Sequence, residues 1–266
     1  MKSGTERARA LHVLGTPLEL TTYADFISRC QNLVSKSGTY AVEFCNTQIV
    51  TMRRHDPGIS KLTECFDFFI PDGMPLIWCL NSRGANLKDR VYGPTFMRRC
   101  ISSNVVPIKH YLLGGSAECG EKLRRVIQEW NPEAKVVGSF HGKCELNGRL
   151  EGKSEESVVR EINELSPDFI WIGFGTPKQQ AWINRHKAQI HRGILFSVGF
   201  AFDVNAGTKK DAPLWMQRIG MTWVYRMFSE PRRLITRYLC YNTLFLFYLL
   251  RDAMTPAGCC GDVRKK

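Results

Sequence analysis

Several features are missing from this sequence, and each absence removes a class of protein. No apolar segment follows the charged stretch from Met1 to Ala10, so neither a secretory signal nor an N-terminal anchor is expected. The longest aromatic and apolar run, Tyr238 to Leu250, is closed off by Arg237 and Arg251 and falls short of the roughly 20 residues that a membrane-spanning helix needs. The cysteines show no metal-ligand spacing. Cys30, Cys45, Cys65, Cys79, Cys100 and Cys119 are scattered through apolar surroundings and read as reduced core residues of a cytosolic protein, while Cys259-Cys260 stand apart in the tail. The histidines form neither a triad nor a metal cluster; His186 and His191, on a helix and just past it, read as surface or structural residues. There is no Asp-x-Asp pair to hold a divalent metal against a diphosphate, and Gly114-Gly115 lacks the G-x-G-x-x-G spacing of a dinucleotide site. No metal and no cofactor is therefore expected.

What is present is an ordinary globular composition, 44% hydrophobic and 23% charged, with a net charge of +12. That excess favours an anionic partner, which charge alone leaves open among nucleic acid, anionic lipid and a phosphorylated substrate. Trp171-Ile-Gly-Phe-Gly-Thr-Pro-Lys-Gln-Gln-Ala-Trp182 reads as a buried strand, a tight turn and a helix. Such a turn offers free backbone N–H groups and the polar side chains Thr176, Lys178 and Gln179 to an anion. Packing alone would also explain its glycines.

The rest of the chain alternates in the same way. His12 to Gly15 opens with a short strand, and Thr21-Thr22 caps a helix to about Ser35. Tyr40 to Phe44 is a strand ending at Asn46, and Asp67 to Ile70 is a strand ending at Pro71-Asp72-Gly73. Ile108 to Leu113 leads through Gly114-Gly115 and the cap Ser116 to a helix ending at Trp130, after which Ala134 to Gly138 is extended. Gly142 to Glu156 reads as a loop, and Gly193 to Val198 as a further strand. Strands alternating with helices predict an α/β fold, Rossmann-like, with a mostly parallel sheet whose ligands lie beyond the strand carboxyl ends. Asn46, Asp72, Gly114, Thr176 and Asp203 all fall there. On the local pattern alone, Asp72 is better explained as a turn residue than by a catalytic role.

Past Ala206 the composition changes, which predicts a Rossmann-like domain over 1–206 and a basic helical appendage over 207–266. Lys209 to Leu239 holds seven basic residues against Asp211 and Glu230. Pro213 and Pro231 are helix starts, with Trp215, Met216, Ile219, Trp223, Met227 and Phe228 at helical spacing. The apolar run that follows fits an interfacial membrane contact, or else packing on its own domain or on a second copy of the chain in a homo-oligomer.

Taken in order, Val13-Leu-Gly15, Asn46, Pro71-Asp-Gly73, Arg90-Val-Tyr-Gly93, Leu112-Leu-Gly-Gly115 and Gly175-Thr-Pro-Lys-Gln179 make up one set of blocks, joined by Trp182, Val198-Gly-Phe-Ala-Phe-Asp203, Trp223-Val-Tyr-Arg226 and Glu230-Pro-Arg-Arg233. This series resembles the WecG/TagA/CpsF family of bacterial glycosyltransferases, also called glycosyltransferase family 26, over residues 11 to 240. The resemblance implies an inverting transfer of a sugar, of the N-acetylmannosamine type, its uronic acid or a hexose, from a UDP-sugar donor. The acceptor is a polyprenyl-linked glycolipid at the inner face of the cytoplasmic membrane, reached by a peripheral enzyme. It implies Asp72 as the base, with Asn46, Arg90, Gly114, Gly115, Thr176, Gln179 and Asp203 in the substrate pocket. Arg226, Arg233 and Arg237 from the appendage would neutralise the diphosphate in place of a metal.

The sequence departs from the family pattern at four places. Phe44 stands where Thr is usual, Gln180 and Thr222 where Glu is usual, and Lys210-Asp211 where an Arg precedes Ala-Pro. A nucleic-acid-binding protein with aromatic stacking groups, or a non-catalytic membrane scaffold, would carry a similar charge. The first leaves the strand-end polar groups without a role, so no nucleic-acid partner is expected.

Overall fold

The computed structural model describes residues 9–103, 107–147, 149–152 and 154–254; Cys259 and Cys260 lie outside them. In chain order the elements are β1 (Ala10–Val13), β2 (Thr16–Glu19), α1 (Tyr23–Val34), β3 (Gly38–Cys45), α2 (Thr47–His55), α3 (Pro57–Leu62), β4 (Phe68–Pro71), α4 (Met74–Asn81) and α5 (Gly93–Ser102). There follow β5 (Lys109–Gly114), α6 (Ala117–Trp130), β6 (Lys135–Phe140), α7 (Glu155–Leu165), β7 (Phe169–Gly173), α8 (Lys178–His186) and β8 (Arg192–Ser197). The chain then forms α9 (Ala201–Asn205), α10 (Leu214–Arg218), α11 (Thr222–Ser229) and α12 (Pro231–Met254).

Strands β3 to β8 make one sheet in the order β4-β3-β8-β7-β5-β6, and all of its pairings are parallel. The expected α/β class therefore holds. Side chains alternate between its two faces. Ala41, Cys45, Tyr111, Ile170 and Leu195 pack with α2, α4, α7 and α8, and Val42, Phe44, Leu112, Trp171 and Phe196 pack with α1, α5, α6 and α9. Trp171 and Phe196 stack at 4.5 Å between ring centroids. The chain leaves β5 toward β6 and β7 toward β8, in opposite directions, and parallel sheets open a ligand crevice at such a divergence.

Local signals explain most of the helix starts. The side chains of Thr22, Asn46, Ser116 and Ser154 each accept a hydrogen bond from the backbone of the first turn. Two expectations need correction. The opening is an antiparallel hairpin rather than a single strand, because Leu14 and Gly15 take positive φ and turn the chain back. The aromatic helix expected from Trp215 to Phe228 is two helices, split at Gly220. That residue has φ 72°, and a Cβ there would stand 2.9 Å from the Trp78 ring.

Helix α12 buries Leu234, Tyr238 and Phe245 and packs on α2, each apolar side chain contributing roughly 1.5–3 kcal/mol. Polar contacts fix its register: Thr47 Oγ1 to Asn242 Oδ1 at 3.0 Å and His55 Nδ1 to Tyr248 Oη at 2.8 Å. Ile235, Leu239, Leu246, Phe247, Leu250 and Met254 of the same helix are exposed.

Candidate active site

Asp72 follows β4 directly, and its backbone N–H donates to the Cys45 carbonyl at 2.7 Å, which sets it beside Asn46 at the end of β3. The Val91 N–H donates to the Pro71 carbonyl at 2.9 Å and brings the Arg90-Val91-Tyr92 segment alongside. Asp72 Oδ1 is buried and has no hydrogen-bond partner among the described residues. Burial pushes the Asp72 carboxyl up to about 7, with Asp211 adding to the rise, while Arg90, the Gly93 N–H at the start of α5 and Arg226 pull it down. A carboxyl tuned to that range can take up a proton at neutral pH.

Arg90 is buried and bridges two parts of the chain. It donates to the Asp72 carbonyl at 3.3 Å and to Thr222 Oγ1 at 3.1 Å, and it lies 4.2 Å over the Tyr92 ring. The Tyr92 hydroxyl donates to Asp211 at 2.8 Å, and Gln217 donates to the same carboxylate at 3.1 Å. Arg90 therefore orients the Asp72 loop against α10 and α11. Thr222 at the position where Glu is usual leaves it a neutral acceptor there.

Arg226 differs. Its guanidinium lies 3.9 Å over the Phe200 ring, and its Nε is buried without a partner among the described residues. A buried unpaired donor costs on the order of 1–3 kcal/mol, and more when charged.

The other expected residues fall into two groups. Asp203 accepts from Thr208 Oγ1 at 3.0 Å and lies 3.4 Å from Lys209 Nζ. Lys209 also pairs with Glu230 at 3.0 Å, and Glu230 pairs with Arg233 at 2.8 Å, so a chain of alternating charge joins α9 to α12. In the turn after β7, Gln179 is buried and its Oε1 accepts from the Gly175 N–H at 3.0 Å; it shapes the turn. Pro177 stands at the cap before α8 instead of inside its first turn. The Thr176 carbonyl accepts from Arg237 at 3.0 Å. Asn46 Oδ1 is spent on capping α2, through the Ile49 N–H at 3.1 Å, which leaves its amide Nδ2 for a ligand.

Gly114 is required by packing, because with φ 110° its missing Cβ would stand 3.0 Å from the Gly173 carbonyl carbon and from the Phe174 ring. Gly115 lines a cavity of about 650 Å³ together with Lys143, Asn147, Phe174 and Lys178. The cavity opens at the β5–β7 divergence and contains none of the Asp72 loop.

Sequence reasoning missed Tyr92, Lys209 and Gln217 as site-building groups, and it missed Glu43, a carboxyl buried in β3. Tyr92 sits inside a recognised block, and Glu43 is the one charged residue in the run Ala41-Val-Glu-Phe-Cys45; both signals were visible. Among the described residues, no group of three or more His, Cys, Asp or Glu side chains could hold a metal ion.

The chain matches the family model described as glycosyl transferase WecG/TagA/CpsF over residues 11–258. It is 26% identical over 225 residues to an N-acetylglucosaminyldiphosphoundecaprenol N-acetyl-beta-D-mannosaminyltransferase of Staphylococcus aureus strain MRSA252, covering 84% of this chain and 85% of that one. The protein of the same name from strain MW2 is 25% identical over the same shares. With a parallel sheet carrying these motifs at its carboxyl edge and a family match over almost its whole length, the chain belongs to the WecG/TagA/CpsF family of glycosyltransferases.

Proposed function

We propose that this glycosyltransferase moves an N-acetylmannosamine-type sugar from a UDP-sugar to a lipid-linked diphosphate acceptor, with inversion at the anomeric carbon. One observation carries this reading: a buried carboxyl tuned to about 7, Asp72, lies close enough to Arg226 to feel its charge, and both have a buried polar atom with no partner among the described residues. In the step, Asp72 takes the proton of the acceptor hydroxyl while that oxygen bonds to the anomeric carbon. The bond from that carbon to the UDP oxygen breaks, and its electron pair leaves on the β-phosphate. Arg226, with Arg233 and Arg237, meets the charge that develops there. Asn46 and Asp203 hold sugar or uridine hydroxyls, Gly115 and Thr176 border the donor, and Arg90, Gly114 and Gln179 hold the loops in place.

In this reading residues 1–206 carry the chemistry, and 207–266 complete the site and rest on the inner face of the cytoplasmic membrane. Leu214, Trp215, Phe228, Leu246, Phe247 and Leu250 are exposed apolar side chains of the appendage helices, and Arg232, Arg233 and Arg251 belong to the same helix as the last three. Such helices suit the boundary of an anionic leaflet. No described helix is long and apolar enough to cross a membrane. The test is incubation of purified protein with UDP-N-acetylmannosamine, other UDP-sugars and an N-acetylglucosaminyl diphospholipid. A disaccharide-lipid product with release of UDP is expected; no transfer from any donor in the panel would contradict the reading.

A further inference from the structure

Glu43 sits on β3, between the edge strand β4 and β8, on the face packed by α2 and α8, and is 1% exposed. Gln180 Nε2 lies 3.0 and 2.9 Å from its two carboxyl oxygens and 3.4 Å from Thr176 Oγ1. The Thr176 carbonyl in turn accepts from Arg237. One buried carboxyl is thus linked through two side chains to the turn after β7 and to an arginine of the appendage.

We propose that Glu43 is a positioning residue of the transfer reaction: it holds Gln180, and through Gln180 the Thr176 turn, in the arrangement that turnover requires. The proposal rests on the glycosyl-transfer reading above.

The surroundings favour the neutral form. The facing cation is Arg53 on α2, and it is committed elsewhere: its Nε donates to Thr16 Oγ1 at 3.1 Å, its Nη1 donates to Thr63, and it lies 4.5 Å over the Phe69 ring. Cys45 on the same strand and Asp72 at the end of β4 add no positive charge, and Gln180 on α8 and Ser197 on β8 are neutral. Burial pushes the Glu43 carboxyl up to about 8, with Asp72 adding to the rise, while Gln180, Ser197 and Arg53 pull it down. Asp72 therefore loses its proton first and Glu43 second. The first step readies the base; the second places an uncompensated charge behind the Gly175-to-Gln180 turn.

The experiment compares wild type, E43Q, E43L, Q180E and the E43Q/Q180E exchange. One arm measures kcat/KM from pH 6 to 10 with UDP-N-acetylmannosamine and an N-acetylglucosaminyl diphospholipid. The other measures amide exchange of residues 174–180 in the protein without substrate. Wild type should lose about tenfold in kcat/KM per pH unit above about 8, and E43Q, always neutral, should lack that fall. E43L should lie about tenfold below wild type at pH 6 to 7, lack the alkaline fall, and exchange faster at 174–180. Q180E, which sets two carboxyl groups across the 2.9 Å now spanned by a hydrogen bond, should drop at least as far, and the exchange variant should recover most of the loss. Superposed alkaline limbs for wild type and E43Q, or unchanged amide exchange in E43L, would overturn the proposal. Absence of any transfer by wild type would instead defeat the reaction assignment, and the amide-exchange arm would still decide the role of Glu43.

Discussion

Arg237 donates to the Thr176 carbonyl at 3.0 Å, so the second turn of α12 is fastened to the signature turn after β7. Desolvation lowers the Arg237 pKa, and a charged donor on a carbonyl contributes about 1.5–3 kcal/mol. Arg237→Ala should therefore lower kcat/KM by about tenfold or more. Arg237→Lys should restore it only in part, because a point-charge ammonium lacks the planar fork. Steady-state kinetics of the two variants check this; equal activity of Arg237→Ala and wild type would remove the contact from the functional account.

Arg226 stacks on Phe200 and keeps a buried unpaired Nε. Arg226→Ala should cost about a hundredfold in kcat, the scale seen when one preorganised donor to a developing charge is removed. Its effect on binding of UDP should be smaller, since the charge to be met grows in the transition state. Isothermal titration with UDP beside kinetics separates the two.

With arginines in the role of counter-charge, chelation should leave turnover unchanged. Activity in excess EDTA equal to that in its absence is the expected outcome, and loss recovered by added Mg²⁺ or Mn²⁺ would show that a divalent ion takes part.

The exposed side of α12 gives a prediction independent of chemistry. Leu246→Glu with Phe247→Glu should abolish sedimentation with vesicles containing anionic lipid, and raised salt should weaken binding of the wild type. Both side chains are exposed, so thermal stability should stay within about 0.5 kcal/mol of wild type. Phe245→Ala, at a buried position on the opposite face, should instead cost about 3–5 kcal/mol of folding stability.

Much of this was legible in the residues. The parallel sheet followed from strands alternating with helices, and the caps at Thr22, Asn46 and Ser116 followed from side chains able to accept from a first turn. Asp72 gained meaning only inside its block, because Pro-Asp-Gly is equally a turn signal. What pattern could not reveal is how side chains are spent: Asn46 and Gln179 look like open pocket residues but serve backbone N–H groups, and Gly114 is needed for close packing. Long-range polar links such as Arg90 to Thr222 and Glu43 to Gln180 join residues more than a hundred positions apart, beyond the reach of local spacing.

The Asp72 carboxyl fixes two opposite pH trends. Its folded-state pKa is raised from 3.8 to about 7, so its contribution to stability is full below about 3.8 and is lost as pH rises through about 7. Turnover runs the other way, since the base works only when deprotonated. The decisive measurement is kcat/KM of wild type and Asp72→Asn across this range with UDP-N-acetylmannosamine and the diphospholipid acceptor. Wild type should rise with a midpoint near 7, and Asp72→Asn should lose about 10²–10⁴-fold and show no acid limb. An Asp72→Asn variant with wild-type turnover and the same acid limb would contradict the assignment.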